Sequence, residues 1–444
     1  MNHIDQLIAN SIIGVDTLWG GDVMCPSGTG RFIADSWFSD EPLPIAYTTP
    51  AAAKLREVGG VTCKDCNKAM FDEYLRESGI AGTISELYES AHNQTGLRGA
   101  YLQGLAGSLK IMFELAMEVI GKAPAVPYEQ CVVSSTGRPP EPSDPKAKRE
   151  RVTELLAKAG YSSRTNDDLL FSVDTWRRKL NVPMSCIEQT SKSVISYFDD
   201  LSAKNLLPYL PREMAAVPRA NIEFLPIKDA WFSGSMNYVG RARNAGHSPM
   251  YEATYEINAS LQISKPEFDQ LVSHEVVPGH VTTFAYLQHL YVTGKVGFEA
   301  SVLTMNTRAA TLFEGIANNA ILIAHGVTEV DQLPNTDMQI GVLLALLQDD
   351  AKNQSSYLTW GERWKKEDVA KTLRRDFLVS DERADKLSGA WGRHPLMGRM
   401  YLPAYRSGTE RVAELRRKYP PEKILPALYG CKGLVDIETI TKVL

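Results

Sequence analysis

The sequence predicts a mainly α-helical protein with a small β-sheet just ahead of one histidine-bearing helix. Apolar residues recur at helical spacing from about 65 to 122 and again beyond 146. The segments 222–227 and 253–262 instead alternate and are rich in strand-forming residues, with a loop predicted over 230–238 between them. These observations favour a helical fold in which a short sheet lies beside the helix that follows it.

Composition is that of an ordinary globular protein. The chain has 444 residues, of which 44% are hydrophobic and 23% charged, so it is long enough to bury a large core. A net charge of −5 gives no indication of a nucleic-acid or anionic-membrane partner. Six cysteines in this length argue against a disulfide scaffold.

Three regions are predicted along the chain. Residues 1–130 form an N-terminal helical region, 131–219 a connector followed by helices, and 220–444 the region of the functional site. The proline-rich stretch 123–146 marks the first boundary as the most loop-like part of the sequence. Alternatively, the three regions form a single domain.

The first residues lack a basic segment followed by a long apolar core, so no signal peptide is expected. No uncharged apolar run reaches eighteen residues. The expectation is a soluble, cytoplasmic protein without a membrane partner, whose oligomeric state the sequence leaves open.

The segment 273–280 carries the main functional signal. It places His274, Glu275 and His280 within seven residues, after a run that puts apolar side chains at helical spacing. Six residues along an unbroken helix is a rotation of roughly 240°, which would point the two imidazoles apart. Pro278 and Gly279 predict a break that returns His280 to the side of His274. A helix that merely ends there, with two unrelated histidines, is the alternative.

Glu314 supplies a third candidate ligand. It lies in the middle of an apolar segment, 309–324, that reads as a buried helix, and it has no adjacent basic residue. A buried and unpaired carboxylate is costly, and coordination of a metal ion relieves that cost. His274, His280 and Glu314 would leave an open coordination position for water, as catalytic Zn²⁺ requires, and Glu275 would act as the general base.

These motifs resemble a known family. His-Glu-x-x-Pro-Gly-His at 274–280, Phe-Glu-Gly at 313–315 and Tyr-x-x-Gly at 405–408 are similar to motifs of the bacterial domain-of-unknown-function family 885. The resemblance covers about 220 to the end and implies a large helical, zincin-like fold with a metallopeptidase-like site. The chain departs from the family pattern at several flanking positions, which carry Val281, Thr283, Ile316, Asn353 and Tyr401.

Further site residues are predicted with specific roles. Stabilisation of the oxyanion is assigned first to Tyr405, within the matched Tyr-x-x-Gly motif, and then to Tyr401 or His394. Either Asp349 or its neighbour Asp350 is expected to hold a ligand histidine in the correct tautomer. Substrate binding is assigned to a set of four residues: Arg241, Tyr255, Arg399 and Tyr401.

The function predicted from these residues is metal-dependent hydrolysis. Zinc-activated water would cleave an amide or peptide bond in a small molecule or short peptide. Two other classes stay open. The same ligand set suits Fe²⁺ or Mn²⁺ in a lyase or oxygenase. A non-catalytic small-molecule binding protein would also account for the departures from the family pattern.

Overall fold

The computed structural model describes residues 1–25, 27, 30–161, 165–227, 234–258 and 263–444. Helix accounts for 64% of the structure and strand for 6%, which confirms the predicted mainly α class with small sheets. Among the described residues, no helix combines the length and apolarity needed to cross a membrane.

The helices before the functional region are the following: α1 (His3–Leu18), α2 (Ile45–Thr48), α3 (Pro50–Val58), α4 (Lys68–Ser78), α5 (Ile80–His92), α6 (Gly96–Val119), α7 (Tyr128–Thr136), α8 (Lys146–Lys158), α9 (Asn166–Lys179) and α10 (Ile187–Asn205). Those after it are α11 (Lys265–Glu275), α12 (His280–Val292), α13 (Arg308–Asn318), α14 (Ala320–His325), α15 (Thr336–Ser356), α16 (Lys366–Phe377), α17 (Asp381–Lys386), α18 (Leu402–Lys418) and α19 (Pro421–Leu428).

Short π-helical segments occupy Tyr357–Gly361, Leu387–Trp391 and Met397–Tyr401. Single 3₁₀ turns lie at Met184–Cys186, Leu207–Tyr209, Arg212–Ala216, Phe298–Ser301, Val330–Gln332 and Ile440–Lys442.

The helices that matter for the site begin at side-chain caps. The hydroxyl of Ser264 accepts the backbone N–H of Glu267 at the start of α11, with Pro266 in the first turn. Thr307 caps α13 in the same way, accepting from the N–H of Ala310. Local sequence therefore fixes where both helices begin. The starting residue in turn determines which side of each helix His274, Glu275 and Glu314 occupy.

Two small sheets flank the site. The strands are β1 (Ala34–Trp37), β2 (Ile222–Ile227), β3 (Gly234–Tyr238), β4 (Ala253–Asn258) and β5 (Val302–Thr304). β1 and β5 form an antiparallel ribbon, with Ser36 opposite Leu303. The other sheet has the order β2-β4-β3, with β2 parallel and β3 antiparallel to the central strand.

The strand predictions are partly confirmed. β2 matches the predicted 222–227, and β4 begins at the predicted Ala253, while 259–262 lie outside the described residues. The predicted loop over 230–238 is wrong for 234–238, which pair with β4 as strand β3. Gly234 and Ser235 hide the alternation of apolar and polar residues that would predict a strand. Backbone pairing with the central strand β4 decides the conformation instead. Residues 230–233 lie outside the described part of the chain.

The largest apolar core runs from Leu7 to Ile440 and crosses both predicted region boundaries, at 130 and 219. Helix α13 lies inside it, with every residue from Ala309 to Asn318 buried. The expectation that Glu314 rides on a buried helix is thereby confirmed.

Helices α13 and α18 approach each other closely at two glycines. A Cβ added at Gly315 would lie 2.4 Å from the backbone oxygen of Gly408. One added at Gly408 would lie 2.0 Å from the oxygen of Thr311. The glycines of the Phe-Glu-Gly and Tyr-x-x-Gly motifs therefore meet, and this contact sets the spacing between the helix of Glu314 and the helix of Tyr405.

Candidate metal centre

The predicted helix break lies between α11 and α12. Helix α11 ends at Glu275, and the chain turns through a cis Val277–Pro278 peptide before α12 begins at His280. The backbone N–H of Gly279 donates to the oxygen of Ser273 over 3.0 Å. A Cβ at position 279 would lie 1.8 Å from the oxygen of His274, so only glycine fits there.

The break brings the two imidazoles together. The Nε2 atoms of His274 and His280 lie 3.2 Å apart, and the ring planes are nearly perpendicular. The predicted return of His280 to the side of His274 is thus confirmed as geometry. Burial lowers the pKa of His280 to about 4, and burial together with His280 lowers the pKa of His274 well below its usual range. Both rings are therefore neutral at pH 7, which is the form that coordinates metals.

Glu314 completes a three-residue cluster with the histidines. Its Oε2 lies 3.5 Å from Nε2 of His274, and its Oε1 lies 3.8 Å from Nε2 of His280. Oε1 accepts the hydroxyl of Tyr401 over 2.6 Å. Oε2 is buried and has no hydrogen-bond partner among the described residues. A buried carboxylate whose two oxygens each face one imidazole nitrogen, with Oε2 left unpartnered, is the arrangement that a metal ion would satisfy.

A chain of hydrogen bonds fixes the tautomer of His274. The hydroxyl of Thr409 donates to the backbone oxygen of Tyr405 over 2.7 Å, so its oxygen accepts from Nδ2 of Asn318 over 2.8 Å. The other side of that amide, Oδ1, then faces Nδ1 of His274 over 2.8 Å. Nδ1 must carry the proton, and Nε2 presents its lone pair to Glu314 and His280.

Glu275 lies at the edge of the same cluster. One of its carboxylate oxygens is 4.0 Å from Nε2 of His274. A second grouping is also possible, because His274, Glu275 and His280 each have one potential ligand atom within 4.8 Å of those of the other two. Both carboxyls are therefore within reach of the histidines, but Glu314 is the nearer and has the unpartnered oxygen, so we assign it as the ligand.

The histidines bring no positive charge to the cluster, and Lys352 only partly offsets the effect of burial on its two carboxyls. Burial and then Glu314 raise the pKa of Glu275 to about 8, while burial raises the pKa of Glu314 to about 7. Both imidazoles are neutral, and they offer no compensation to either carboxylate. A divalent cation fits this donor set, because it would stabilise both ionised carboxylates.

The cluster opens into a cleft of about 180 Å³. One wall comes from the β1–β5 ribbon and its flanks, with Arg31, Phe32, Asp35, Leu303, Thr304 and Met305. Gly234, Ser235 and Met236 of strand β3 also line the cleft. Apolar side chains, among them Phe284, Phe313 and Trp391, line much of the remainder. The cleft suits a ligand of modest size with an apolar part.

Tyr405 and Tyr401 both line the cleft, with ring centroids 5.1 Å apart. Nζ of Lys352 sits 3.2 Å from the centroid of the Tyr405 ring and donates to Asp349 over 3.0 Å. Lys352 is thus a buried cation in contact with Tyr405. The expectation that Asp349 or Asp350 holds a ligand histidine is wrong: Asp349 pairs with Lys352, Asp350 pairs with Lys148, and Asn318 takes that role.

His394 does not line the cleft. Its Nδ1 accepts the backbone N–H groups of Leu396 and Met397, each over 3.2 Å. Its ring packs between Trp19 and Phe32, and burial lowers its pKa to about 4. The geometry gives His394 a role in closing a turn, away from the position predicted for an oxyanion donor.

Three of the four predicted substrate-binding residues also fail to line the cleft. The guanidinium of Arg399 is buried against Glu118, with N–O distances of 2.9 and 3.1 Å. Tyr255 is fully buried in the central strand of its sheet, and half-buried Arg241 is not part of the cleft lining. Only Tyr401 of that set reaches the cleft.

Sequence reasoning missed three residues that the fold brings to the site, namely Asn318, Lys352 and Arg31. Asn318 lies four residues after Glu314 and therefore on the same face of α13. This spacing could have identified Asn318 from the sequence as a neighbour of the site. Arg31 and Lys352 come from distant segments, and only the tertiary structure places them here.

Comparison with known proteins supplies a fold likeness without a function. No protein-family profile and no curated protein matches the chain. Two similar solved structures are "the putative lipoprotein from Colwellia psychrerythraea" and "a putative lipoprotein of unknown function from Shewanella oneidensis". The TM-scores are 0.52 and 0.51, each at 14% identity, over 89% and 86% of this chain. The chain spans only 66% and 68% of those structures, about two thirds of their length.

These findings correct two expectations. The identification with domain-of-unknown-function family 885 is wrong, since no family profile matches and the similar structures are described only as lipoproteins. The zincin-like detail of the predicted fold is not confirmed either. The expected cytoplasmic location is contradicted by the lipoprotein descriptions of both similar structures. The family identification came from short motifs, which do not encode the overall fold.

Proposed function

We propose that this protein is a metal-dependent hydrolase that cleaves an amide or peptide bond in a small molecule or short peptide. The observation that carries the proposal is the convergence of two neutral imidazole nitrogens and one unpartnered carboxylate oxygen at the end of a cleft. His274, His280 and Glu314 would hold Zn²⁺ there. When bound, the ion would lower the pKa of a water molecule and polarise the scissile carbonyl.

Glu275 is the general base in this proposal. It lies beside the ligand set without being needed as a ligand, and it lines the cleft. Its carboxylate takes a proton from the attacking water and passes it to the leaving amine. The hydroxyl of Tyr405 supports the oxyanion, whereas that of Tyr401 is already engaged with Glu314.

The test is metal content by elemental mass spectrometry on the wild type and on a matched pair of isosteric variants, Glu314→Gln and Glu275→Gln. We expect about one zinc per chain in the wild type and in Glu275→Gln. Glu314→Gln and His280→Ala should lose the metal. Glu275→Gln should bind metal yet fail to hydrolyse the amides or dipeptides that the wild type cleaves.

Other outcomes are equally informative. Loss of metal from Glu275→Gln with retention in Glu314→Gln would exchange the roles of the two carboxylates. Stoichiometric iron or manganese in place of zinc would support the lyase or oxygenase alternative. A chain purified without chelator that holds no metal, or a metal-loaded chain that turns over no amide, would refute the proposed hydrolase.

A further inference from the structure

Arg31 is a buried cation in the wall of the cleft. Its side chain is only 6% exposed, yet it lines the same space as His274 and Glu314. Nη2 donates to the backbone oxygen of Cys25 over 3.2 Å, and Nη1 donates to that of Asp35. The Nε–H group has no hydrogen-bond partner among the described residues. A buried guanidinium with an unused donor is incomplete, because an arginine normally satisfies its N–H groups when it leaves water.

Asp35 compensates Arg31 only in part. The closest distance between its carboxylate and Nη1 is 3.7 Å, longer than a hydrogen bond. Burial raises the pKa of Asp35 in spite of Arg31, which weakens the compensation further. Outside the proposed metal centre, Arg31 and Asp35 are the charged residues of the described cleft lining. One side of the cleft therefore offers a partly free cation among apolar side chains.

The chain that follows Arg31 is anchored by hydrogen bonds. The carboxylate of Asp16 accepts the backbone N–H groups of Ile33 and Ala34 over 2.8 and 3.0 Å. The backbone oxygen of Ile33 in turn accepts the N–H of Met305 over 2.7 Å. Arg31 thus enters the cleft just before the anchored end of the β1–β5 ribbon.

We propose that Arg31 binds a free carboxylate of the substrate. The inference rests on the proposed hydrolase and narrows its substrate class to short peptides or N-acyl amino acids with a free carboxylate beside an apolar side chain. The planar guanidinium matches a carboxylate through two parallel hydrogen bonds, and one new bond would use the Nε–H that lacks a partner. Apolar lining from Phe32 and Phe313 accommodates the side chain next to that carboxylate.

The test compares two probes that differ only at one end, N-acetyl-L-phenylalanine and N-acetyl-L-phenylalaninamide. Binding is measured by isothermal titration calorimetry in the Glu275→Gln background, in which neither acetyl amide should be hydrolysed. We expect the carboxylate to bind roughly tenfold or more tightly than the amide, as hydrogen bonds to a charged group allow. Arg31→Met should abolish this preference, and Arg31→Lys should retain only part of it, because lysine lacks the planar fork.

Arg243→Met is the matched control. Arg243 also contacts an aspartate, Asp40, and backbone oxygens, but it does not line the cleft. That variant should keep the preference for the carboxylate. His280→Ala separates the two proposals: it removes a proposed metal ligand, and the preference should persist there if Arg31, rather than a metal ion, holds the carboxylate.

The inference is overturned if the Glu275→Gln protein with Arg31 intact binds both probes equally or binds neither. It is also overturned if Arg31→Met and Arg31→Lys keep the full preference. A preference lost in His280→Ala but retained in Arg31→Met would assign the carboxylate to the metal centre. If the hydrolase proposal fails while the preference depends on Arg31, the cleft remains a carboxylate-binding site without the proposed chemistry.

Discussion

At the scale of single residues, orientation of a ligand matters as much as its identity. His274 can present Nε2 to the cluster only because Asn318 accepts at Nδ1, and Thr409 fixes which way that amide points. Partners of this kind hold a ligand ring in place and keep its basicity high. Asn318 is therefore a positioning residue, which acts on the site through His274.

We expect Asn318→Ala to weaken zinc binding about 10- to 100-fold, the usual effect of losing such a partner. Competition against a zinc chelator measures this affinity. Asn319→Ala is the control, because Asn319 is also buried and hydrogen-bonded, to Gly315 and Thr409, but does not contact His274. It should lower the free energy of unfolding with little effect on zinc affinity. Equal losses of zinc affinity in Asn318→Ala and Asn319→Ala would show that Asn318 affects the site only through the stability of the fold.

At the scale of elements, the site depends on an interruption. An unbroken α11–α12 helix would separate the two histidines, and the break at Gly279 brings their Nε2 atoms to 3.2 Å. The close approach of Gly279 to the oxygen of His274 makes this break specific to glycine. The helix end and the ligand geometry are therefore one feature of the structure.

Gly279→Ala should displace His280, abolish metal binding and lower the unfolding midpoint in denaturant, since its Cβ would collide with backbone. Gly82→Ala provides the comparison, as Gly82 lies within α5 and its added Cβ meets nothing within 4 Å. That variant should gain about 0.5–1 kcal/mol of stability from helix propensity and keep its metal. Metal bound normally by Gly279→Ala would contradict this account of the break.

At the scale of the whole molecule, the first helix is tied to the cleft wall through a buried acid. Asp16 of α1 accepts two backbone N–H groups of the segment that starts β1, and burial raises its pKa to about 7. Between its ordinary value of 3.8 and about 7, the folded protein holds a proton there that the unfolded chain has released. The contribution of Asp16 to the free energy of unfolding is therefore largest below pH 3.8. It falls as the pH rises from there and is lost once the pH passes the folded-state pKa of about 7.

Asp16→Asn keeps the accepting oxygen and removes the titration. We expect the free energy of unfolding of the wild type, relative to that of the variant, to fall as the pH rises from about 4 to about 7 and then to level off. Urea unfolding at a series of pH values measures the difference, in which contributions from other acids cancel. If the difference in free energy of unfolding between wild type and variant does not change from about pH 4 to about pH 7, Asp16 has the same pKa in the folded and the unfolded chain.

Local sequence was sufficient where the determinant was local. The helical class, the β2 strand, the break at Pro278-Gly279 and the burial of Glu314 follow from spacing, alternation and the properties of proline and glycine. Strand β3 was missed because Gly234 and Ser235 carry no strand signal, and its pairing with β4 decides it. Arg399 was misassigned because its partner, Glu118, lies far away in the sequence. Arg31 and Lys352 reach the site by tertiary packing alone, which no spacing rule reveals.

The glycine contact between α13 and α18 has a consequence for how such a protein can diverge. Glu314 and Tyr405 ride on two helices whose backbones touch at Gly315 and Gly408, and any larger residue there would push the helices apart. The half of the site that holds the candidate metal therefore tolerates little variation. The other half, with Arg31, lies just before the two-stranded ribbon of β1 and β5, which is separate from this contact between α13 and α18. A substitution of Arg31 would therefore change which ligand the cleft prefers and leave the spacing between Glu314 and Tyr405 as it is.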